Sequence, residues 1–172
     1  MTAVKNNSFI KVISLLLALI TMLSAFTVTS SVAEAASKPA QAYVAVKNAY
    51  GKSFPLSSKD RVKGKKRVYG VKTSLLSSYY YAEKFAGNNK SATVYRIIIC
   101  KPKNKSDIKS IKSKFASSKS NEQQSMSSYL SAKGKKLFKN CKIGSVNGYV
   151  YVVMIDTNAN KKAIAAIKKT LG

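Results

Sequence analysis

Residues 91–104 read SATVYRIIICKPKN, and the fold turns on the run at their centre. Ile97, Ile98, Ile99 and Cys100 leave no polar position for a wet side, so a strand built from them is buried on both faces and central in its sheet. The segment KPKN ends it. Just upstream, SYYYAEKF (78–85) has the same aromatic and β-branched character, and AGNNK (86–90) supplies turn chemistry between them. The pair reads as a β-hairpin. Tyr79, Tyr80 and Tyr81 are consecutive and must alternate between faces, which favours strand packing over a ligand-stacking platform.

Outward from that hairpin the period changes. In 106–130, Ile108, Ile111, Phe115, Met126 and Leu130 share one helical stripe, with Ser106 as the expected N-cap. Lys119 and Glu122 interrupt the stripe, so they either pair at i, i+3 or mark a break. CKIGSVNGYVYVVMID (141–156) is a second hairpin with Asn147-Gly148 as its turn. NKKAIAAIKKTLG (160–172) places Ile164, Ile167 and Leu171 on one helical face, with Asp156 expected to cap it. Near the start, QAYVAVKNAYG (41–51) is a helix that stops at Gly51, and Pro55 prevents its continuation. A short helical turn is expected around residues 73–77. The order helix, hairpin, long helix, hairpin, helix predicts an α+β domain, with a mainly antiparallel sheet of about four strands packed against helices.

The first 35 residues read differently. Lys5 and Lys11 precede an apolar run from Val12 to Leu23, and Ala33-Glu34-Ala35 places small residues for cleavage before Ala36. This is the pattern of a secretory signal peptide. A retained membrane anchor is the competing reading, but the uninterrupted apolar core is short of the roughly 20 residues that span a bilayer. Cleavage leaves residues 36–172 as one secreted domain.

Charge is the dominant compositional fact. Of 31 basic and 6 acidic side chains, Lys5, Lys11 and Glu34 fall in the leader, which leaves 29 and 5, a formal +24. Such an excess repels itself and points to a polyanionic setting. Only Arg61, Arg67 and Arg96 are arginines, and lysine suits diffuse attraction better than bidentate recognition. The densest segment, KDRVKGKKRVYG (59–70), is expected to be an exposed loop carrying Lys59, Arg61, Lys63, Lys65, Lys66 and Arg67. Lys101, Lys103 and Lys105 run into Lys109 and Lys112, and Lys133, Lys135 and Lys136 form a third group.

Catalytic chemistry is poorly represented. The chain has no histidine, the commonest general base and metal ligand near neutrality. The acids Asp60, Glu83, Asp107, Glu122 and Asp156 show no paired spacing. Gly51-Lys52-Ser53 echoes a phosphate-binding loop, but Val46 stands where that pattern requires glycine. No cofactor, metal site or catalytic residue is expected. Cys100 and Cys141 could form a disulfide in an exported protein. A simple helical crossover puts them at opposite ends of the sheet and favours free thiols.

Beyond these readings, the chain resembles a family of small extracytoplasmic proteins of Gram-positive bacteria, known as domain of unknown function forty-three fifty-eight. The likeness lies in the helix ending near Tyr50-Gly51, the Tyr69-Gly70 pair, VYRIIICKPKN leading into a polar helix, and GYVYVVMID with its closing helix. It implies an extracytoplasmic α+β domain and assigns no catalytic residue. Many relatives look like lipoproteins, whereas this chain has no cysteine at its cleavage point. The expected function is a non-enzymatic module holding anionic polymers: teichoic acid, peptidoglycan carboxylates or extracellular nucleic acid. The alternatives are a solvated cationic exterior on a protein- or small-ligand-binding module, and an enzyme.

Overall fold

Strand β4 (Thr93–Pro102) is the centre of a four-stranded antiparallel sheet ordered β3-β4-β6-β5. Its neighbours are β3 (Leu76–Ala86) and β6 (Tyr149–Met154), with β5 (Lys142–Val146) on the far edge. The computed structural model describes residues 37–88 and 91–172. The expected leader and cleavage point, in residues 1–36, lie outside the described residues.

Alternation along β4 assigns the two faces. Ile97 and Ile99 join Tyr80, Ala82, Tyr151 and Val153 beneath two helices, α1 (Lys38–Tyr50) and α4 (Lys161–Leu171). Tyr43 of α1 stacks on Tyr80 with ring centroids 4.1 Å apart. Ile98 and Cys100 join Tyr81, Val150 and Val152 on the opposite face, under Ile111 and Phe115 of α2 (Ile108–Ser125). The polarity pattern of IIIC therefore reports helices on both sides of the sheet.

Both tight turns have positive φ at two successive residues, as a two-residue hairpin of the right twist requires. Asn147 and Gly148 sit at 43° and 81°, the turn expected from their identity. The second pair, Tyr69 and Gly70 at 47° and 84°, joins two short strands, β1 (Arg67–Val68) and β2 (Val71–Lys72). Residues 59–67 are largely exposed and, apart from a 3-10 turn (Ser58–Asp60) and the first residue of β1, carry no regular element, as expected of a loop. Val62 donates its backbone N–H to the Tyr81 carbonyl at 2.9 Å, Arg61 bridges Ala82 on the edge of β3, and Val68 is fully buried. The partly buried Val62 and the buried Val68 just beyond it tie the loop to the domain.

Three expectations change. The long helix starts at Ile108 after a 3-10 turn (Lys105–Asp107), so Asp107, not Ser106, precedes its first residue, and no side chain caps it. It runs unbroken past Lys119 and Glu122 and stops at Ser125; Leu130 lies beyond it, bridged to Ala92. An additional helix, α3 (Ala132–Asn140), leads to β5, capped by Ser131. Asp156 does not cap α4. Asn160 occupies that position, with its buried side chain accepting from the N–H groups of Ile155 and Asp156 and donating to the Asn140 carbonyl. Asp156 lies four residues too early and accepts from Tyr50 Oη and the Asn158 N–H.

Gly134 shows how tightly α3 sits on the sheet end. A Cβ there would lie 2.6 Å from the Ala92 carbonyl oxygen. Glycine to alanine inside a helix ordinarily stabilises by up to ~1 kcal/mol. Gly134→Ala should instead destabilise, by about 1–3 kcal/mol as overpacking does. Urea unfolding measures the sign, and a stabilised variant would contradict this packing.

Candidate functional site

The one buried charge in the central strand is Arg96, 2 % exposed on the α2 face. A buried guanidinium requires anionic partners, and two carboxylates converge on it. Glu122, from α2, forms a fork: Arg96 Nη1 donates to Oε2 at 2.6 Å and Nη2 to Oε1 at 2.7 Å. Glu83, opposite Arg96 on β3, accepts from Nε at 2.5 Å and also from Nη2. Tyr69 Oη donates to Glu122 at 2.7 Å and Tyr81 Oη to Glu83 at 2.9 Å. The Tyr69 ring lies over the guanidinium, 4.0 Å from its carbon. That pair of contacts explains a tyrosine at positive φ, a conformation uncommon for a bulky side chain.

Burial opposes the charge on Arg96, but the Glu122 hydrogen bonds and the Glu83 carboxylate outweigh it and raise its pKa. Burial first, then the neighbouring carboxylates, push the phenols of Tyr69 and Tyr81 up. The two acids with no local pairing in sequence are therefore brought together, as acceptors for Arg96 rather than as an acid–base pair across an open cleft. Glu122 pairs with Arg96, not with Lys119. The available signal was Arg96 itself: a charge in a strand buried on both faces needs acids from elsewhere.

The remaining acids serve local structure. Asp60 accepts from the N–H and hydroxyl of Ser57 at 2.5 and 2.8 Å. Asp107 accepts from Asn104 at the start of α2, and Asp156 holds the α1–α4 corner. Against this stands an exposed basic surface. Lys59, Lys63, Lys65, Lys66 and Arg67 are exposed along the β3 edge, while Arg61 is half-buried with its guanidinium 4.6 Å from the Tyr80 ring. The Thr73 N–H bonds the Lys66 carbonyl, and the Lys103 N–H bonds that of Leu75. These contacts bring Lys66 and Arg67 toward the end of the sheet that carries Lys101, Lys103, Lys105, Lys109 and Lys112, while Arg61, bridged to Ala82, lies beside the middle of β3. Lys133, Lys135 and Lys136 do not join them. They lie on α3, which packs at the Val94 end of β4. Ten residues of strand at about 3.3 Å each separate the two groups by roughly 30 Å.

Cys100 and Cys141 are free thiols. Cys141 precedes the start of β5, two strands across and four registers along from Cys100, beyond the ~7 Å Cα limit of a disulfide. Burial pushes their pKa values up to about 12 and about 11, away from the nucleophilic range.

A family model described as Domain of unknown function (DUF4358) matches residues 49–155. The chain belongs to this family. The matched segment contains the whole sheet, α2, α3 and every member of the Arg96 network, and it omits most of α1 and all of α4. It is narrower than the likeness read from the sequence, which takes in the helix ending near Tyr50-Gly51 and the closing helix. No curated protein and no solved structure matches the chain.

Five tyrosines, Tyr43, Tyr50, Tyr69, Tyr81 and Tyr151, have their pKa raised, burial being the first cause in each. A folded-state pKa above the unfolded value near 10 contributes stability that is complete below pH ~10 and is lost as pH rises through the folded value. Tyrosinate absorbance should therefore appear at higher pH in the native protein than in the urea-denatured chain, rising together with loss of the folded circular dichroism. Superimposable titration curves would refute the burial of these phenols.

Proposed function

We propose that the chain is an exported, non-enzymatic member of the family that holds anionic polymers of the cell envelope or its surroundings through a diffuse lysine surface. One observation carries the reading: the five acids from Ala36 onward accept hydrogen bonds from nearby groups, while the lysine groups face solvent. A positive field left this open attracts polyanions over a Debye length, about 10 Å at 0.1 M salt. Polymers of phosphate or carboxylate fit it through charge rather than shape. The short leader and the net charge of residues 36–172 support export into a polyanionic setting. Among the described residues, no helix is long and apolar enough to cross a membrane.

The two lysine groups at opposite ends of β4 make binding depend on length. A polymer longer than ~30 Å reaches both, and a short oligomer engages one, losing the effective-concentration gain of the second contact.

The test is a salt titration with wall teichoic acid and with mixed-sequence duplex DNA. Affinity should fall log-linearly with salt, each phosphate neutralised on the duplex contributing about −0.9 to the slope. It should be indifferent to base sequence. Lys63→Ser, Lys65→Ser, Lys66→Ser and Arg67→Ser together should flatten the slope by two to four neutralised phosphates while leaving the circular dichroism unchanged. Failure of the wild-type protein to bind either polymer at low salt would leave only a solvated exterior and reject the proposal.

A further inference from the structure

The two edges of the sheet are finished differently. On β3 the Val62 N–H and the Arg61 bridge cover part of the rim. Its register shifts between Leu76 and Ser78, and Glu83 and Lys84 add charge. These are the usual means of keeping a strand edge from pairing with another chain. The other edge, β5, reads KIGSV and has none of them beyond Lys142 at its start. It runs opposite β6 without a bulge from Lys142 to Val146.

The turn determines which backbone groups of β5 are unpaired. Asn147 and Gly148 both have positive φ, so Val146 and Tyr149 are the hydrogen-bonded pair that closes the hairpin. Bonded and non-bonded pairs alternate from there. Gly144 and Lys142 therefore bond β6, while Ile143 and Ser145 turn their N–H and C=O groups away from it. Among the described residues, no strand, bridge or backbone hydrogen bond meets these outward groups. An added extended backbone is what satisfies such a row.

The row is complementary to itself. In an antiparallel pair centred on Gly144, Ile143 of one copy faces Ser145 of the other, and each such pair exchanges both of its backbone hydrogen bonds. Gly144 meets Gly144 on the two-fold axis and brings no side chain to it; the Tyr151 ring occupies the space a side chain would take. Lys142 lies opposite Val146 rather than opposite its own copy, so like charges do not face each other across the seam. We infer that β5 is an interaction surface for a second copy of this chain, joining two sheets edge to edge about a two-fold axis. The contact uses the same patch on both copies and closes at a dimer. It is short, and the formal +24 on residues 36–172 of each copy opposes it. Screening that repulsion with salt strengthens the dimer, the reverse of the salt dependence of polyanion binding. The inference stands on the hairpin and goes beyond the polyanion reading without resting on it.

Sedimentation equilibrium over a range of protein concentrations tests it, at about 0.01 M and about 1 M salt, where the Debye length is about 30 Å and about 3 Å. At the higher salt the weight-average mass of wild type should climb from one chain toward two as concentration rises. At the lower salt it should stay at one. Ser145→Pro removes an outward N–H and leaves every β5–β6 bond in place. Its circular dichroism should match wild type, and its dimer should be weaker by about tenfold or more, because each copy loses a donor at the seam. Ser145→Lys keeps the backbone donor and should weaken the dimer by placing a charge beside the axis; it decides the matter if the proline variant unfolds. Ser145→Thr should associate like wild type. A wild-type protein that stays monomeric at high salt overturns the inference. So does association that the lysine variant leaves unchanged, or that weakens as salt rises.

Discussion

The charge on Arg96 is the constraint to which the rest of the α2 face conforms. A guanidinium cannot be placed between isoleucine-rich registers of a central strand without compensation, because desolvating an unpaired ion costs several kcal/mol. Compensation comes from three elements at once. Glu83 arrives on the neighbouring strand, Glu122 on the last turns of α2, and Tyr69 on the β1–β2 turn, whose backbone carbonyl also accepts from Ser118 of α2 at 3.1 Å. Geometry that satisfies Arg96 therefore fixes how far α2 extends, where the small hairpin docks, and why a tyrosine is held in a left-handed conformation. Such a network stabilises little relative to an apolar core of the same shape; its larger effect here is on which arrangement is permitted.

What could be read from the sequence follows the range of the forces involved. Ile97 to Cys100, Asn147-Gly148 and the Ile164–Ile167–Leu171 stripe are local patterns, and they gave the central strand, one hairpin and the closing helix. The failures are long-range. Arg96 finds Glu83 and Glu122 at separations of 13 and 26 residues, which no spacing rule registers. The contacts that tie the 59–67 loop to the edge of β3, Val62 to Tyr81 and Arg61 to Ala82, are long-range too and leave no local signal. Tyr69 carries no turn signal, since its positive φ is held by contacts with Glu122 and Arg96.

The same network bears on the surface. With Glu83 and Glu122 drawn inward and Asp60, Asp107 and Asp156 used at turns and helix ends, the exterior keeps a large unbalanced positive charge.

Urea unfolding of Arg96→Met, beside Arg96→Met combined with Glu83→Gln and Glu122→Gln, tests the organising role of Arg96 most directly. The single substitution leaves two carboxylates without their cation and should cost about 3–5 kcal/mol near neutral pH. Neutralising both carboxylates should restore most of that loss, because the penalty is unpaired buried charge rather than missing volume. A single variant within ~1 kcal/mol of wild type, or a triple variant no more stable than the single, would contradict the central place given to this ion network.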